Sequence, residues 1–107
     1  MPPTERVREL FDEMVRLIEK HGEPSLAQAA AFSAAEGKLD DFLRSNELWG
    51  GSGSIADQAG ISSSAEGGRA IRSALIALGK EQARVGKVNP RTAGWVETFV
   101  KWNESGI

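Results

Sequence analysis

Apolar residues recur at three- and four-residue spacing along most of this chain, which is the period of an amphipathic α-helix. The first such segment runs from Val7 to Ile18, and charged residues occupy the opposite side of the predicted helix. Gly22 follows His21 and is expected to end this helix in a left-handed conformation. The pattern therefore predicts a first helix with one buried face.

Two further helices are predicted before the middle of the chain. The second covers about Pro24–Glu36, where a run of alanines strongly favours helix, and Leu26 and Phe32 are expected to be its main apolar anchors. A shorter third helix is predicted over Leu39–Ser45, and Asn46 is expected to end it.

Three helical segments are predicted in the rest of the chain. A short helix over about 55–59 precedes a long one over about 65–85. The buried stripe of the long helix is expected to consist of Ile71, Ala74, Leu75, Leu78 and Val85. Asn89-Pro90 indicates the start of a last helix that runs to about Trp102. Because no alternating run long enough for a strand occurs, we expect an all-α bundle. It would have about five helices plus a short one, in a single domain spanning residues 1–107.

The composition argues against most enzyme and metal chemistry. The chain has 107 residues, no cysteine and a single histidine, His21. The lack of cysteine excludes disulfides and thiol nucleophiles, and one histidine leaves too few ligands for an ordinary zinc site. We therefore expect no catalytic residues, no metal and no cofactor. The sequence has no signal-peptide pattern and no membrane-spanning apolar run, so a cytoplasmic location is expected.

A glycine-rich turn is the first candidate site. Three of the four residues at 50–53 are glycine, and we expect at least one of these glycines to have a positive φ. Free N–H groups at such a turn, next to a helix start, can hold an anion or a carbonyl. The alternative is a structural turn that folds its tryptophan onto the core and caps the next helix. The candidate ligand-binding residues are Trp49, Gly50, Gly51, Ser52, Gly53, Ser54 and Asp57.

A stripe of cations on the long helix is the second candidate site. At 100° per residue its members share one sector of about 120°, opposite the apolar stripe. A solvated helix face is the favoured interpretation, and an interface for an acidic protein partner is the main alternative. Nucleic acid is disfavoured because no aromatic residues interleave with the cations. This basic stripe consists of Arg69, Arg72, Lys80, Arg84 and Lys87.

The glycine-rich turn also carries a resemblance to known proteins. Its residues Gly50–Asp57 resemble a Gly-Gly-x-Gly-Ser-x-x-Asp signature of small bacterial helical domains of unknown function. The similarity covers roughly residues 7–58, including the order of the first helices, and leaves out the long helix and the last one. It implies a bacterial cytoplasmic protein of helical fold, and it implies no activity.

Two hypotheses about function follow. Residues 1–53 carry a net charge of −4 and residues 54–107 a net charge of +2, an asymmetry that suits an oriented protein partner. The first hypothesis is a non-catalytic protein–protein interaction module of the bacterial cytoplasm, such as an adaptor, an inhibitor or an immunity-type protein. The alternative is a small-ligand or anion-binding domain centred on the turn at 49–57. Neither a particular partner nor an oligomeric state is specified by the sequence.

Overall fold

The structure, a computed structural model, describes the chain over residues 5–35, 37–50, 54–59, 65–86 and 89–105. Within these ranges the regular secondary structure is entirely α-helical, which confirms the predicted all-α class. The helices are α1 (Glu5–His21), α2 (Pro24–Ser33), α3 (Leu39–Leu43), α4 (Asn46–Trp49), α5 (Ile55–Ala59), α6 (Ala65–Arg84) and α7 (Thr92–Glu104).

Helix α6 lies at the centre of the fold, with α1 packed along one side of it and α7 along another. The apolar stripe that the sequence predicts on this helix is buried from Ile71 to Leu78, together with the facing residues of both neighbours, and Val85 at its end is partly buried. Burying each such side chain contributes about 1.5–3 kcal/mol of hydrophobic stabilisation. The fully buried residues at this junction are Met14, Ile18, Ile71, Leu75, Leu78 and Phe99.

The end of α1 differs from the expectation for Gly22. This glycine does not have a positive φ, and the left-handed glycines among the described residues are Gly37 and Gly86. A Cβ atom built at Gly22 would lie 3.2 Å from the Cδ1 atom of Ile71. Gly22 therefore permits a close approach between the end of α1 and α6, instead of supplying an unusual backbone conformation.

Helix α2 packs through its alanines, and the prediction that Phe32 anchors it was wrong. Ala27 and Ala30 are buried, while the side chain of Phe32 is 83% exposed. Phe32 lies two residues after Ala30, about 200° further round the helix, so both cannot face α1. Leu26 packs at the edge of the core, as predicted. The helix ends at Ser33, before the left-handed Gly37.

A short helix, α4, begins where the sequence was expected to end one. The hydroxyl of Ser45 accepts a hydrogen bond from the N–H of Leu48 at 3.3 Å and so caps a new helix. Asn46 is the first residue of α4, not the terminator of α3. The loop before the glycine-rich turn is thus replaced by one more helical turn, which carries Trp49 into the core.

Candidate functional site

Trp49, the first residue of the glycine-rich turn, is part of the core. Its side chain is 0% exposed, and its indole Nε1 donates a hydrogen bond of 3.1 Å to Oε1 of Gln82. The same Gln82 side chain donates through Nε2 to the carbonyl oxygen of Leu43 at 2.8 Å. A glutamine of α6 therefore joins the two ends of the segment that contains α4, and Trp49 presents no surface to a ligand.

Gly50 is a glycine because of space, not because of a positive φ. Its φ is −68°, and a Cβ atom built there would lie only 2.3 Å from the carbonyl oxygen of Asn46. Its own carbonyl oxygen accepts two hydrogen bonds, from Nε1 of Trp95 at 2.9 Å and from the hydroxyl of Ser54 at 2.8 Å. Gly50 therefore does not supply the positive φ expected of at least one glycine in the turn, and Gly51 and Gly53 lie outside the described residues.

Ser54 caps α5 as the sequence predicts. Its hydroxyl accepts a hydrogen bond from the N–H of Asp57 at 3.2 Å while it donates to Gly50. This is the bond from the third helical position that an N-cap serine makes. The remaining candidate ligand-binding residues, Gly51, Ser52 and Gly53, lie outside the described residues.

Arg72 is buried, so the interpretation of the whole basic stripe as a solvated helix face was wrong for this residue. Only 4% of the residue is exposed. Its Nε donates a hydrogen bond of 2.9 Å to Oδ1 of Asn103, and its guanidinium carbon lies 5.8 Å from the ring centroid of Trp102. The physical reason is that α7 packs beside the apolar stripe of α6 and covers the flank that carries Arg72.

The environment of Arg72 changes its acidity but not its charge at neutral pH. Burial lowers the pKa of Arg72, and the positive charge of nearby Arg69 lowers it further. Arginine stays protonated in proteins, so a buried cation remains here and needs its hydrogen-bond partners. Asn103 and the face of Trp102 supply part of that compensation.

Arg69 also contacts the carboxy-terminal end of α7. Its Nη1 donates a hydrogen bond of 3.0 Å to the carbonyl oxygen of Asn103, where the helix dipole favours a positive charge. The amide of Asn103 in turn donates to the hydroxyl of Ser73 at 3.0 Å. Two arginines of the basic stripe therefore hold α7 against α6.

Arg84 is exposed but already paired. Its Nε and Nη2 donate to the two carboxylate oxygens of Glu81 at 2.6 Å and 2.7 Å. This paired hydrogen bond lowers the pKa of Glu81 and raises the pKa of Arg84. Lys87 lies outside the described residues. Lys80 is exposed, and among the described residues its ammonium group forms no ion pair.

Lys80 lies at the rim of an apolar groove between α6 and α7. The groove has a volume of about 350 Å³. A Cβ atom at Gly79 would lie 2.5 Å from Cγ2 of Val96, so this glycine sets the close approach of the two helices beside the groove. Glu97 lies on the opposite rim and pairs with Lys101 at 3.2 Å. The walls are small or apolar, and they consist mainly of Gly79, Ala83, Pro90, Ala93 and Val96.

The different roles of Arg72 and Lys80 can be separated by truncation. Arg72→Ala is expected to lower the free energy of unfolding by about 1–3 kcal/mol, because Asn103 loses a buried donor and Trp102 loses packing. Lys80→Ala, the matched control, is expected to change it by no more than about 0.5 kcal/mol. Urea denaturation followed by helical circular dichroism measures both. Equal effects for the two variants would contradict the assignment.

Two buried polar residues that support this region were missed by the sequence reasoning. Gln82 continues the spacing of the apolar stripe through Leu75 and Leu78, so its buried position was readable from the helical period. The sequence predicts that the last helix starts at Asn89-Pro90, but α7 begins only at Thr92. The amide of Asn89 donates to the carbonyl oxygen of Arg44 at 2.9 Å, a contact for which the sequence carries no signal.

Metal-site geometry, membrane-spanning character and similarity to known proteins were each compared with this fold. Across the five described ranges, no group of three His, Asp or Glu side chains is placed to hold a metal ion. Nor does any helix in those ranges combine the length and the apolar character needed to cross a membrane. Comparison with protein-family models, curated proteins and solved structures finds no match to this chain. The resemblance of Gly50–Asp57 to small bacterial domains therefore stays a prediction.

Proposed function

We propose that this chain is a non-catalytic protein-binding module of the bacterial cytoplasm, and that it binds an acidic segment of its partner. The observation that carries the proposal is the apolar groove between α6 and α7 with the exposed ammonium group of Lys80 at its rim. The groove would take an apolar side chain of the partner, and Lys80 would pair with a neighbouring carboxylate.

The size and the charge of the groove support this kind of partner. A volume of about 350 Å³ lies near the lower end of the range for ligand pockets, which suits one or two inserted side chains. Glu97 on the other rim is balanced by Lys101, so Lys80 leaves the groove with a positive rim. Acidic residues in the partner would therefore raise both the rate of association and its specificity.

A ligand site at the glycine-rich turn receives less support. Several polar groups of the turn already form hydrogen bonds within the protein. They are the indole N–H and the carbonyl oxygen of Trp49, the carbonyl oxygen of Gly50 and the hydroxyl of Ser54. A ligand held by these groups would have to replace these bonds and expose a buried indole. The described part of the turn therefore favours the structural interpretation.

The proposal can be tested by selecting binders from a library of random peptides displayed on phage against the immobilised protein. The selected peptides are expected to share an apolar residue flanked by Asp or Glu. Lys80→Glu is expected to lower the affinity of a selected peptide about tenfold or more, which corresponds to the loss of roughly 1.4 kcal/mol. Isothermal titration calorimetry on purified protein measures this change.

Two further variants distinguish groove binding from general charge attraction. Ala83→Leu is expected to fill the groove and to abolish binding while the helical signal is kept. Lys20→Glu, which reverses another exposed lysine, on α1, is expected to leave the affinity nearly unchanged. Failure to select any acidic, apolar peptide, or equal losses in Lys80→Glu and Lys20→Glu, would refute the proposal.

A further inference from the structure

Phe32 is the outstanding apolar feature of the molecular surface. It is the only large hydrophobic side chain in the described ranges that is exposed, at 83%. Helix α2 carries no charged residue along Pro24–Ser33, so Phe32 stands at the end of an uncharged helix face. Exposed aromatic side chains of this kind are enriched in protein interfaces.

An open hollow lies directly beside this side chain. It has a volume of about 460 Å³, and Phe32 forms one of its walls. Phe42 also lines it, and because Phe42 is almost completely buried it forms an aromatic floor. The surface therefore places a protruding phenylalanine next to a cavity with an aromatic floor, within a single patch.

We infer that this patch binds a second copy of the chain through a two-fold axis, with each Phe32 inserted into the hollow of the other protomer. A two-fold interface uses the same patch on both subunits, so a protrusion and a recess must lie side by side on one surface. Phe32 and the hollow lined by Phe42 meet that requirement. We name the surface formed by Phe32, Lys38, Phe42 and Glu47 the Phe32 patch.

The Phe32 patch carries charges of both signs, so two copies of the patch can pair their charges with each other. Lys38, Asp41 and Glu47 line the hollow and are exposed. Asp41 is paired with Arg44 at 3.5 Å, so Lys38 and Glu47 are the two charges available to a second protomer. The hydroxyl of Ser33 donates to Oε2 of Glu47 at 2.5 Å, which holds the carboxylate at the rim. A two-fold rotation would bring Lys38 of one protomer towards the partner's Glu47, and the same pair would form a second time. A partner surface with charges of one sign only could not pair with both Lys38 and Glu47.

The expected dimer is weak, because the patch is small compared with the interface of a stable complex. The weight-average mass measured by sedimentation equilibrium is expected to rise from monomer towards dimer between about 10 μM and 1 mM protein. Phe32→Ser is expected to weaken the association by about tenfold or more. Its helical signal should be unchanged, because the side chain lies outside the core.

A charge exchange tests the geometry itself. Lys38→Glu alone and Glu47→Lys alone are each expected to dimerise less than the unchanged protein, because like charges then meet twice. An equimolar mixture of the two variants is expected to recover the association, since each protomer then presents the charges that the other requires. No partner other than a second copy explains that recovery.

The inference is overturned if the unchanged protein stays monomeric up to about 1 mM, or if Phe32→Ser leaves its association unaffected. It is also overturned if Phe32→Ser removes peptide binding and not self-association, because the Phe32 patch then serves another protein. Lys80→Glu is the control that separates this test from the proposed function, and it should leave the dimer intact.

Discussion

Replacing Trp49 with alanine is expected to lower the free energy of unfolding by about 3–5 kcal/mol, the range found for large aromatic side chains removed from a core. Trp49 is the largest completely buried side chain among the described residues. Its loss would also leave Oε1 of Gln82 without the indole donor that it accepts from. Urea denaturation followed by helical circular dichroism measures the change.

Trp49→Phe separates the contribution of core packing from that of the hydrogen bond to Gln82. Phenylalanine keeps most of the apolar volume but has no N–H, so the remaining loss reports mainly on the bond to Gln82. We expect about 1–3 kcal/mol for this variant, the usual cost of leaving a buried polar atom without its partner. A loss below about 1 kcal/mol for Trp49→Ala would mean that Trp49 is not packed in the core as described.

Gly50→Ala is expected to destabilise the protein by about 3 kcal/mol, at the upper end of the range for an overfilled site. The added Cβ atom would lie 2.3 Å from the carbonyl oxygen of Asn46, and a backbone atom cannot turn away as a side chain can. The backbone shift would also disturb the hydrogen bonds that Trp95 and Ser54 make to the Gly50 carbonyl. Thermal and urea unfolding both report the loss.

Gly94→Ala is the matched control for that substitution. Gly94 lies inside α7, and a Cβ atom built there meets no other atom within 4 Å. Alanine is therefore expected to stabilise the protein by about 0.4–1 kcal/mol, because it restricts the unfolded chain and favours helix. If Gly50→Ala were as harmless as Gly94→Ala, the close contact at Asn46 would be wrong.

The number and order of the main helices could be predicted from the sequence because their apolar spacing and their end signals agree. The short helix α5 runs from Ile55 to Ala59, the same residues that were predicted. Helix α2 shows where this reasoning fails, because its alanines are apolar on every side and define no face. The expectation that Phe32 anchors α2 therefore failed, because the alanines opposite it make the contact with α1.

The candidate sites were harder to predict because they depend on neighbours that are distant in the sequence. The helical period separates Arg72 from the apolar stripe of α6, but it does not say where α7 will pack. Gly50 shows the same limit in the backbone. The glycine-rich composition of the turn indicated a special backbone position, but it could not distinguish a lack of space for a Cβ atom from a positive φ. The pairing of Glu81 with Arg84, three residues apart on one helix, could have been found from the helical period but was not predicted.

Helix α4 has a consequence for how the protein unfolds. Four residues are too few for a helix to form by itself, because the cost of nucleation exceeds what one turn gains. Two carbonyl groups just before α4 and the carbonyl group of its last residue accept hydrogen bonds from distant side chains. The donors are Gln82, Asn89 and Trp95, which follow these groups by 39, 45 and 46 residues. Opening the segment around α4 therefore breaks hydrogen bonds to α6, to the turn before α7 and to α7 at the same time. We expect this middle region of short helices and turns to unfold together with the long helices and not before them.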